Sequence, residues 1–168
     1  MRLIIKRREL VSDPWRYPGE SEGGGPAALP LAEFLEAVRR GSAPASGIGI
    51  WMVPTDEVEA LAAQLHRVQL VIVHFPKDGE GRGFSQGRLL RERYRFTGEL
   101  RAAGPIKRDY MYLLARCGFD AFDLHPGEDL QAAIGALATF SVAYQPGDET
   151  LVQPRHRPRL YGAESSNL

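Results

Sequence analysis

Cysteine is nearly absent from this sequence, which has only Cys117 among its 168 residues. One cysteine cannot form an intramolecular disulfide framework or a metal site built from cysteines alone, and such low usage is typical of a reducing compartment. The sequence also lacks an apolar run of membrane-spanning length, and the short segment after Met1 has no cleavable leader pattern. These absences predict a cytoplasmic protein without a membrane segment or a metal site.

An excess of one sign of charge is lacking as well. Lysine and arginine total 21, and aspartate and glutamate also total 21, so the formal net charge is zero. No field of the whole molecule would attract nucleic acid or an acidic membrane, and any basic patch must be local. With 43% hydrophobic residues, a chain of this length predicts one compact domain.

Cofactor and nucleophile signatures are missing too. The sequence has no Walker loop, no dinucleotide fingerprint, no Ser-His-Asp order and no His-x-x-x-His spacing. It therefore predicts no bound cofactor and makes a self-sufficient oxidoreductase the weaker hypothesis.

Short apolar runs that alternate with amphipathic segments are the main positive signal. They predict a single α/β domain with a mainly parallel sheet of four core strands in consecutive strand-helix units. The strands are expected at residues 47–53, 70–75, 98–103 and 120–124, and the helices at about 55–66, 84–94, 106–116 and after Pro126. Either an open sheet or part of a barrel fits this pattern, and in both a ligand site belongs at the carboxyl ends of the strands.

The regular strand-helix pattern is confined to a core of residues 47–143, and the two ends of the chain lack it. Residues 1–46 predict an N-terminal strand arm at 3–11, a loop without regular structure at 18–30 and a docking helix at 31–40. Residues 144–168 predict a partly disordered extension, in which Leu151 and Val152 could add a short strand.

A glycine-rich segment, PKDGEGRGFS, follows the second core strand. Backbone amides of Gly79, Gly81 and Gly83, the guanidinium of Arg82 and a helix beginning near Ser85 would suit a small oxyanion. A flexible connection with a capping serine is an equally good interpretation.

The third core strand carries Glu99 and Arg101 on one face, although a parallel strand covered by helices should be apolar throughout. An exposed edge strand would explain both charges. A polar pocket, with His74 and Asp123 as further members, would explain them equally well.

The helix after the glycine segment is rich in arginine, and Arg88, Arg91 and Arg95 share one face of it. A solvated or partner-facing surface explains them better than catalysis. Cys117 stands at the end of the next helix, where the helix dipole disfavours a thiolate. It is therefore interpreted as a packed side chain, with a reactive thiol as the alternative.

Five short segments together form a recognisable pattern: Phe75-Pro76, GRGFS from Gly81 to Ser85, LLRER from Leu89 to Arg93, GELRA from Gly98 to Ala102, and Arg108-Asp109. In these segments the chain resembles a bacterial family, that of domain of unknown function 934. The chain departs from the family pattern at four positions: the family has an aromatic residue where this chain has Asp78, aspartate where it has Glu80 and Pro105, and glutamine where it has Tyr110.

The family is usually met among genes of assimilatory sulfite reduction and sometimes has a provisional oxidoreductase label. The resemblance implies an accessory protein that acts with the sulfite reductase haemoprotein. The alternative is a free-standing small-anion-binding protein or enzyme. Its candidate ligand-binding residues are Gly81, Arg82, Gly83, Ser85, Glu99, Arg101, Arg108 and Asp109, with Cys117 as a possible thiol.

Overall fold

The computed structural model describes residues 2–21, 24–77 and 79–144, with residues 140–144 as backbone only. Asp78 and the predicted extension from residue 145, including the strand suggested at Leu151 and Val152, lie outside the described residues. No helix in the described part of the chain is long and apolar enough to cross a membrane.

Seven strands form one mixed sheet in the order β2-β1-β7-β6-β5-β4-β3. Neighbours from β3 to β7 pair in parallel, whereas β1 pairs antiparallel with both β2 and β7. The four predicted core strands are confirmed as β4 to β7, and the sheet is open, with β2 and β3 at its edges. The strands are β1 Leu3–Lys6, β2 Glu9–Ser12, β3 Ala28–Pro30, β4 Ile48–Met52, β5 Val68–His74, β6 Glu99–Ala103 and β7 Ala121–Asp123.

Helices connect the parallel strands, and several of the predicted helices differ from expectation. The segment after β4 is a 3₁₀ helix without a side-chain cap, because the Asp56 carboxylate instead accepts from the Val53 amide at 2.8 Å. The segment after β6 begins with a 3₁₀ turn, Arg108–Tyr110, before α3. The α-helices are α1 Leu31–Arg39, α2 Gly81–Arg88, α3 Met111–Arg116 and α4 Leu130–Tyr144; the 3₁₀ helix is Val58–Arg67, and a π-helical turn, Leu89–Arg93, extends α2.

All these helices pack on one face of the sheet. From β3 to β7 each strand lies beside the one before it in sequence, so successive right-handed crossovers place their helices on the same side. The main core is therefore a layer between the sheet and the helices. It includes Phe34 of α1, Leu61, Leu90, Leu114 and Leu137, packed with Ile50, Val71, Leu100 and Phe122 of the strands.

The opposite face is covered by residues 13–27, of which 22 and 23 are not described; this segment is called the strap. Trp15 of the strap is 8% exposed and packs in a second core with Leu70 and Ile72 of β5. Gly49 of β4 is needed there, because a Cβ at that position would lie 2.4 Å from the Trp15 ring. The strap thus replaces the second layer of helices found in doubly wound folds.

Two predictions for the N-terminal region were wrong. Residues 3–11 were expected as one strand, an edge or hairpin arm, but form both arms of the hairpin β1–β2, which turns at Arg7 and Arg8. The segment 18–30 was expected to lack regular structure, yet its last residues form the edge strand β3 beside β4. Both segments gain backbone partners from the sheet, which local sequence patterns do not reveal.

Candidate functional site

The charges of β6 lie inside the protein, beneath the strap. Arg101 is 1% exposed, and its guanidinium contacts Glu99 at 2.6 Å, Asp13 of the strap at 2.8 Å and the Tyr17 hydroxyl at 3.1 Å. Lys6 of β1 contacts the other Glu99 oxygen at 2.7 Å. The exposed-edge interpretation of β6 was therefore wrong, because β6 pairs with β5 and β7 and its charges are buried and paired.

Arg2 extends this charged cluster along the strap. Its guanidinium contacts Asp13 at 3.1 Å, Asp123 of β7 at 3.5 Å and Glu20, and it lies over the Tyr17 ring at 3.7 Å. The two strap carboxylates, Asp13 and Glu20, are thus each paired with an arginine, and the Asp13 side chain is fully buried. The cluster is a closed set of ion pairs that fastens the strap to the sheet.

The electrostatics of the cluster follow from burial and pairing. Burial alone would lower the pKa of Arg101, but Tyr17, Glu99 and Asp13 outweigh it and raise that pKa above its usual value. Burial raises the pKa of Asp123, although Tyr17 and Arg2 oppose that shift. Arg101 therefore stays charged at any physiological pH. Each of its guanidinium nitrogens already donates to Glu99, Asp13 or Tyr17, so the group is not available to a ligand.

His74 ends β5 on the strap side of the sheet and stacks on Trp51, with the ring centroids 4.9 Å apart. Its Nδ1 atom is buried and has no hydrogen-bond partner among the residues that the structure describes. Burial lowers the pKa of His74, and the backbone of Ala103 only partly offsets the shift. The imidazole is therefore neutral near pH 7.

This environment predicts a pH dependence of stability. Because the folded pKa of His74 lies below its unfolded value, the unfolded chain binds the proton more readily, and stability contributed by His74 is lost as pH falls below about 6.5. Urea unfolding of wild type and His74→Phe between about pH 7 and pH 5 should show the steeper loss in wild type. Parallel stability curves for the two proteins would contradict this account of His74.

The second half of the glycine segment is helical. α2 begins at Gly81, three residues earlier than expected, and Ser85 lies in its second turn, where its hydroxyl donates to the Gly81 carbonyl at 3.4 Å. The Glu80 carboxylate accepts from the Arg82 amide at the start of the helix. The sequence prediction of a helix that begins near Ser85 was wrong, and an acidic side chain already occupies the amide end of α2.

Close packing explains one of the two glycines of the GRG motif. Gly83 is buried, and a Cβ there would lie 2.5 Å from the ring of Phe75, whereas nothing lies within 4 Å of a Cβ at Gly81. Gly83→Ala should cost about 1–3 kcal/mol by overpacking, while Gly81→Ala should be neutral or stabilise by up to about 1 kcal/mol through helix propensity. Denaturant unfolding gives the change in the free energy of unfolding for each variant. Equal changes for the two variants would show that close packing does not require glycine at position 83.

The remaining predicted residues fall into separate places. Arg108 and Asp109 lie in the exposed 3₁₀ turn after β6, with 3.9 Å between their charged groups. This turn approaches the glycine segment, since a Cβ on Gly79 would lie 4.0 Å from the Tyr110 hydroxyl. An apolar hollow lies between the two loops, lined by Phe75, Lys77, Gly79, Phe84, Pro105, Ile106, Tyr110 and Leu114.

The structure thus does not gather the candidate residues into one site. The glycine segment and the Arg108–Tyr110 turn meet at the carboxyl ends of β5 and β6, on the helix side. Glu99 and Arg101 lie on the opposite face, under the strap. Cys117 is buried at the end of α3, with its Sγ 3.8 Å from an Arg88 nitrogen.

Sequence reasoning missed the role of Arg91, which is only 7% exposed. Its guanidinium donates to the carbonyls of Gly118, Phe96 and Gly98 at 2.8, 2.6 and 2.8 Å, and it lies 3.2 Å from the Asp120 carboxylate. Asp120 in turn accepts from the Leu100 amide at 2.8 Å. Arg91 therefore ties the π-helical turn to the starts of β6 and β7, and the expectation that it shares an exposed face with Arg88 was wrong.

These features define an open α/β domain with helices on one face and an ion-paired strap on the other. The model of a bacterial family described as "Bacterial protein of unknown function (DUF934)" matches residues 49–154. The chain belongs to this family, as the sequence motifs predict. No curated protein is significantly similar to the chain.

Proposed function

We propose that this protein is a cytoplasmic accessory protein of assimilatory sulfite reduction that works by binding the sulfite reductase haemoprotein. The sulfur context comes from the resemblance of the motifs to their family. One observation favours a binding role: among the described residues the interior charges are paired with one another, whereas several surface arginines have no carboxylate within 4 Å. Surface charge of this kind guides and holds partner proteins.

The contrast is clear along the outer side of α2 and the turns after it. Arg82, Arg88 and Arg93 are exposed on the helical segment, and Arg95 and Arg116 are exposed at segment ends. Within the part of the chain that the structure describes, none of these five has a carboxylate within 4 Å, whereas Arg101 has two. An acidic surface on a partner would supply the missing counter-charges.

Binding to the purified haemoprotein tests this proposal directly. At low salt the two proteins should form a complex by calorimetry or gel filtration, and the affinity should fall as ionic strength rises. Co-purification of the haemoprotein with the native protein from the cell should agree. Absence of any complex at low salt, together with an empty native eluate, would rule out this partner.

A second candidate function is small-oxyanion binding at the start of α2. It is favoured by the exposed guanidinium of Arg82 on the first helical turn, at the carboxyl end of β5, and opposed by the Glu80 carboxylate there. An oxyanion at a hundred times its dissociation constant should stabilise the fold by about 2.7 kcal/mol, which raises the melting temperature by several degrees. Low-millimolar sulfate, sulfite or phosphate should therefore be compared with chloride of equal ionic strength.

Two variants control that measurement. Arg82→Ala should remove the anion-specific shift, and Glu80→Gln should enlarge it because the competing carboxylate is gone. A wild type without any such shift, or an Arg82→Ala variant that keeps all of it, would leave the segment as a connection only.

A further inference from the structure

Every residue other than glycine that has a left-handed backbone in the described part of the chain is an arginine. They are Arg7, Arg8 and Arg95, with φ of 50°, 68° and 58°. Side chains other than glycine, asparagine and aspartate are disfavoured in this conformation. The two-residue hairpin turn at Arg7 and Arg8 would normally be Asn-Gly. The presence of arginine at strained positions points to a use for the side chain.

The two strained turns belong to one region of the surface. The Arg7 amide donates to the Asp120 carbonyl at 3.0 Å, which places the β1–β2 turn beside the start of β7. Asp120 contacts Arg91, which holds the carbonyl of Phe96, the residue after Arg95. Buried Arg91 therefore connects both turns at the amino ends of β6 and β7.

Three more exposed arginines lie on the neighbouring segments. Arg88 stands where α2 continues into the π-helical turn and approaches Cys117 at 3.8 Å, Arg93 ends that turn two residues before Arg95, and Arg116 ends α3. Arg7, Arg88, Arg93, Arg95 and Arg116 are called the arginine cluster. Helix dipoles favour basic residues at the carboxyl ends of helices and so explain Arg93 and Arg116. They do not explain Arg7 and Arg95, which lie outside helices at a conformational cost.

Counter-charge in this region is scarce. The Arg7 side chain is 71% exposed, and its only carboxylate contact among the described residues is Asp120 at 3.9 Å. Asp120 is already bound by Arg91 and the Leu100 amide. Exposed Glu92 in the helical segment and exposed Glu9 after the hairpin turn are further acidic residues of these segments, and against them the five arginines leave a local excess of positive charge.

We propose that the arginine cluster is the docking surface of this protein and that it binds an acidic patch on a partner protein. A protein fits better than nucleic acid, because the cluster is confined to one corner of a molecule with zero net charge and a pI near 6.9. The identity of the partner rests on the proposed function. The location of the surface does not.

The strained arginines allow a test in which binding and stability move in opposite directions. Arg7→Asn combined with Arg95→Gly removes two charges and relieves two left-handed conformations, so the melting temperature should stay the same or rise. Affinity for the haemoprotein at low salt should fall about tenfold or more, with a weaker salt dependence. The control, Arg39→Gln with Arg40→Gln, removes two exposed charges from α1 and should bind as wild type does.

Two further probes separate the inference from the proposed function. If the haemoprotein does not bind but poly-L-glutamate binds wild type and not the double variant, the cluster stands as an acidic-protein surface and the haemoprotein is the wrong partner. The docking role of these arginines would be overturned if the double variant bound the haemoprotein as tightly as wild type does. It would also be overturned if the double variant melted at a lower temperature than wild type, because the two arginines would then serve stability. The docking role would also be overturned if a short DNA duplex bound to the cluster more tightly than poly-L-glutamate does. The same holds if the protein bound neither of these probes and did not bind the haemoprotein.

Discussion

Arg101→Ala should lower the free energy of unfolding by about 3–5 kcal/mol, because it leaves buried carboxylates without their main partner. Asp13 is fully buried and Glu99 is 10% exposed at the side chain, and both lie within 3 Å of the Arg101 guanidinium. Arg2 and Lys6 remain, but both are partly exposed and replace only part of the interaction. Urea unfolding measures the loss.

The control for this variant is an ion pair at the surface. Arg40 is 72% exposed and pairs with Glu36 on α1, so Arg40→Ala should cost less than about 1 kcal/mol. Tryptophan fluorescence provides a second readout, since release of the strap would hydrate the Trp15 ring and expose Trp51, which packs on Tyr17 of the strap, and so shift the emission. A loss below about 1 kcal/mol for Arg101→Ala would mean that the cluster contributes little to holding the strap.

Arg91→Ala should have an effect of similar size, about 3–5 kcal/mol, because it removes a buried guanidinium from Asp120 and from three carbonyl groups. Arg91→Lys should recover only part of the loss, since an ammonium group cannot reproduce the planar fork that reaches carbonyls on two loops.

Arg88→Ala is the matched control for Arg91, three residues away on the same segment. Arg88 is exposed, so its removal should change stability by no more than about 0.5 kcal/mol. Equal losses for Arg88→Ala and Arg91→Ala in denaturant unfolding would contradict the structural role given to Arg91. Both variants also bear on docking, where only Arg88 belongs to the arginine cluster.

Much of the fold could be predicted because its signals are local. Apolar runs such as residues 70–75 and amphipathic helices such as α1 report their own periodicity, and β4 to β7 are found where expected. The strap and β3 could not be predicted in this way. Their stability comes from packing on β5 and pairing with β4, which lie far away in the sequence.

The candidate residues show the same division. The GELRA motif signals unusual charge on a strand, but Asp13 is 88 residues from Arg101, so the sequence has no local sign that the charge is already neutralised. The glycines of GRGFS resemble a ligand loop, yet Gly83 serves contact with Phe75 inside the core. A local motif shows which residue types are present, and the partners of those residues come from the fold.

By itself, the sequence determined the α/β class, the four parallel core strands and membership of the family, because periodicity and motifs are properties of neighbouring residues. Tertiary structure alone decided which arginines are interior and which are exposed. Positions 88, 91 and 93 have the same residue type, arginine. The π-helical turn and the packing of Gly118 bury Arg91 and leave Arg88 and Arg93 at the surface. Burial requires an ion pair, while exposure leaves charge available to a partner, and this physical difference arises only when distant segments meet.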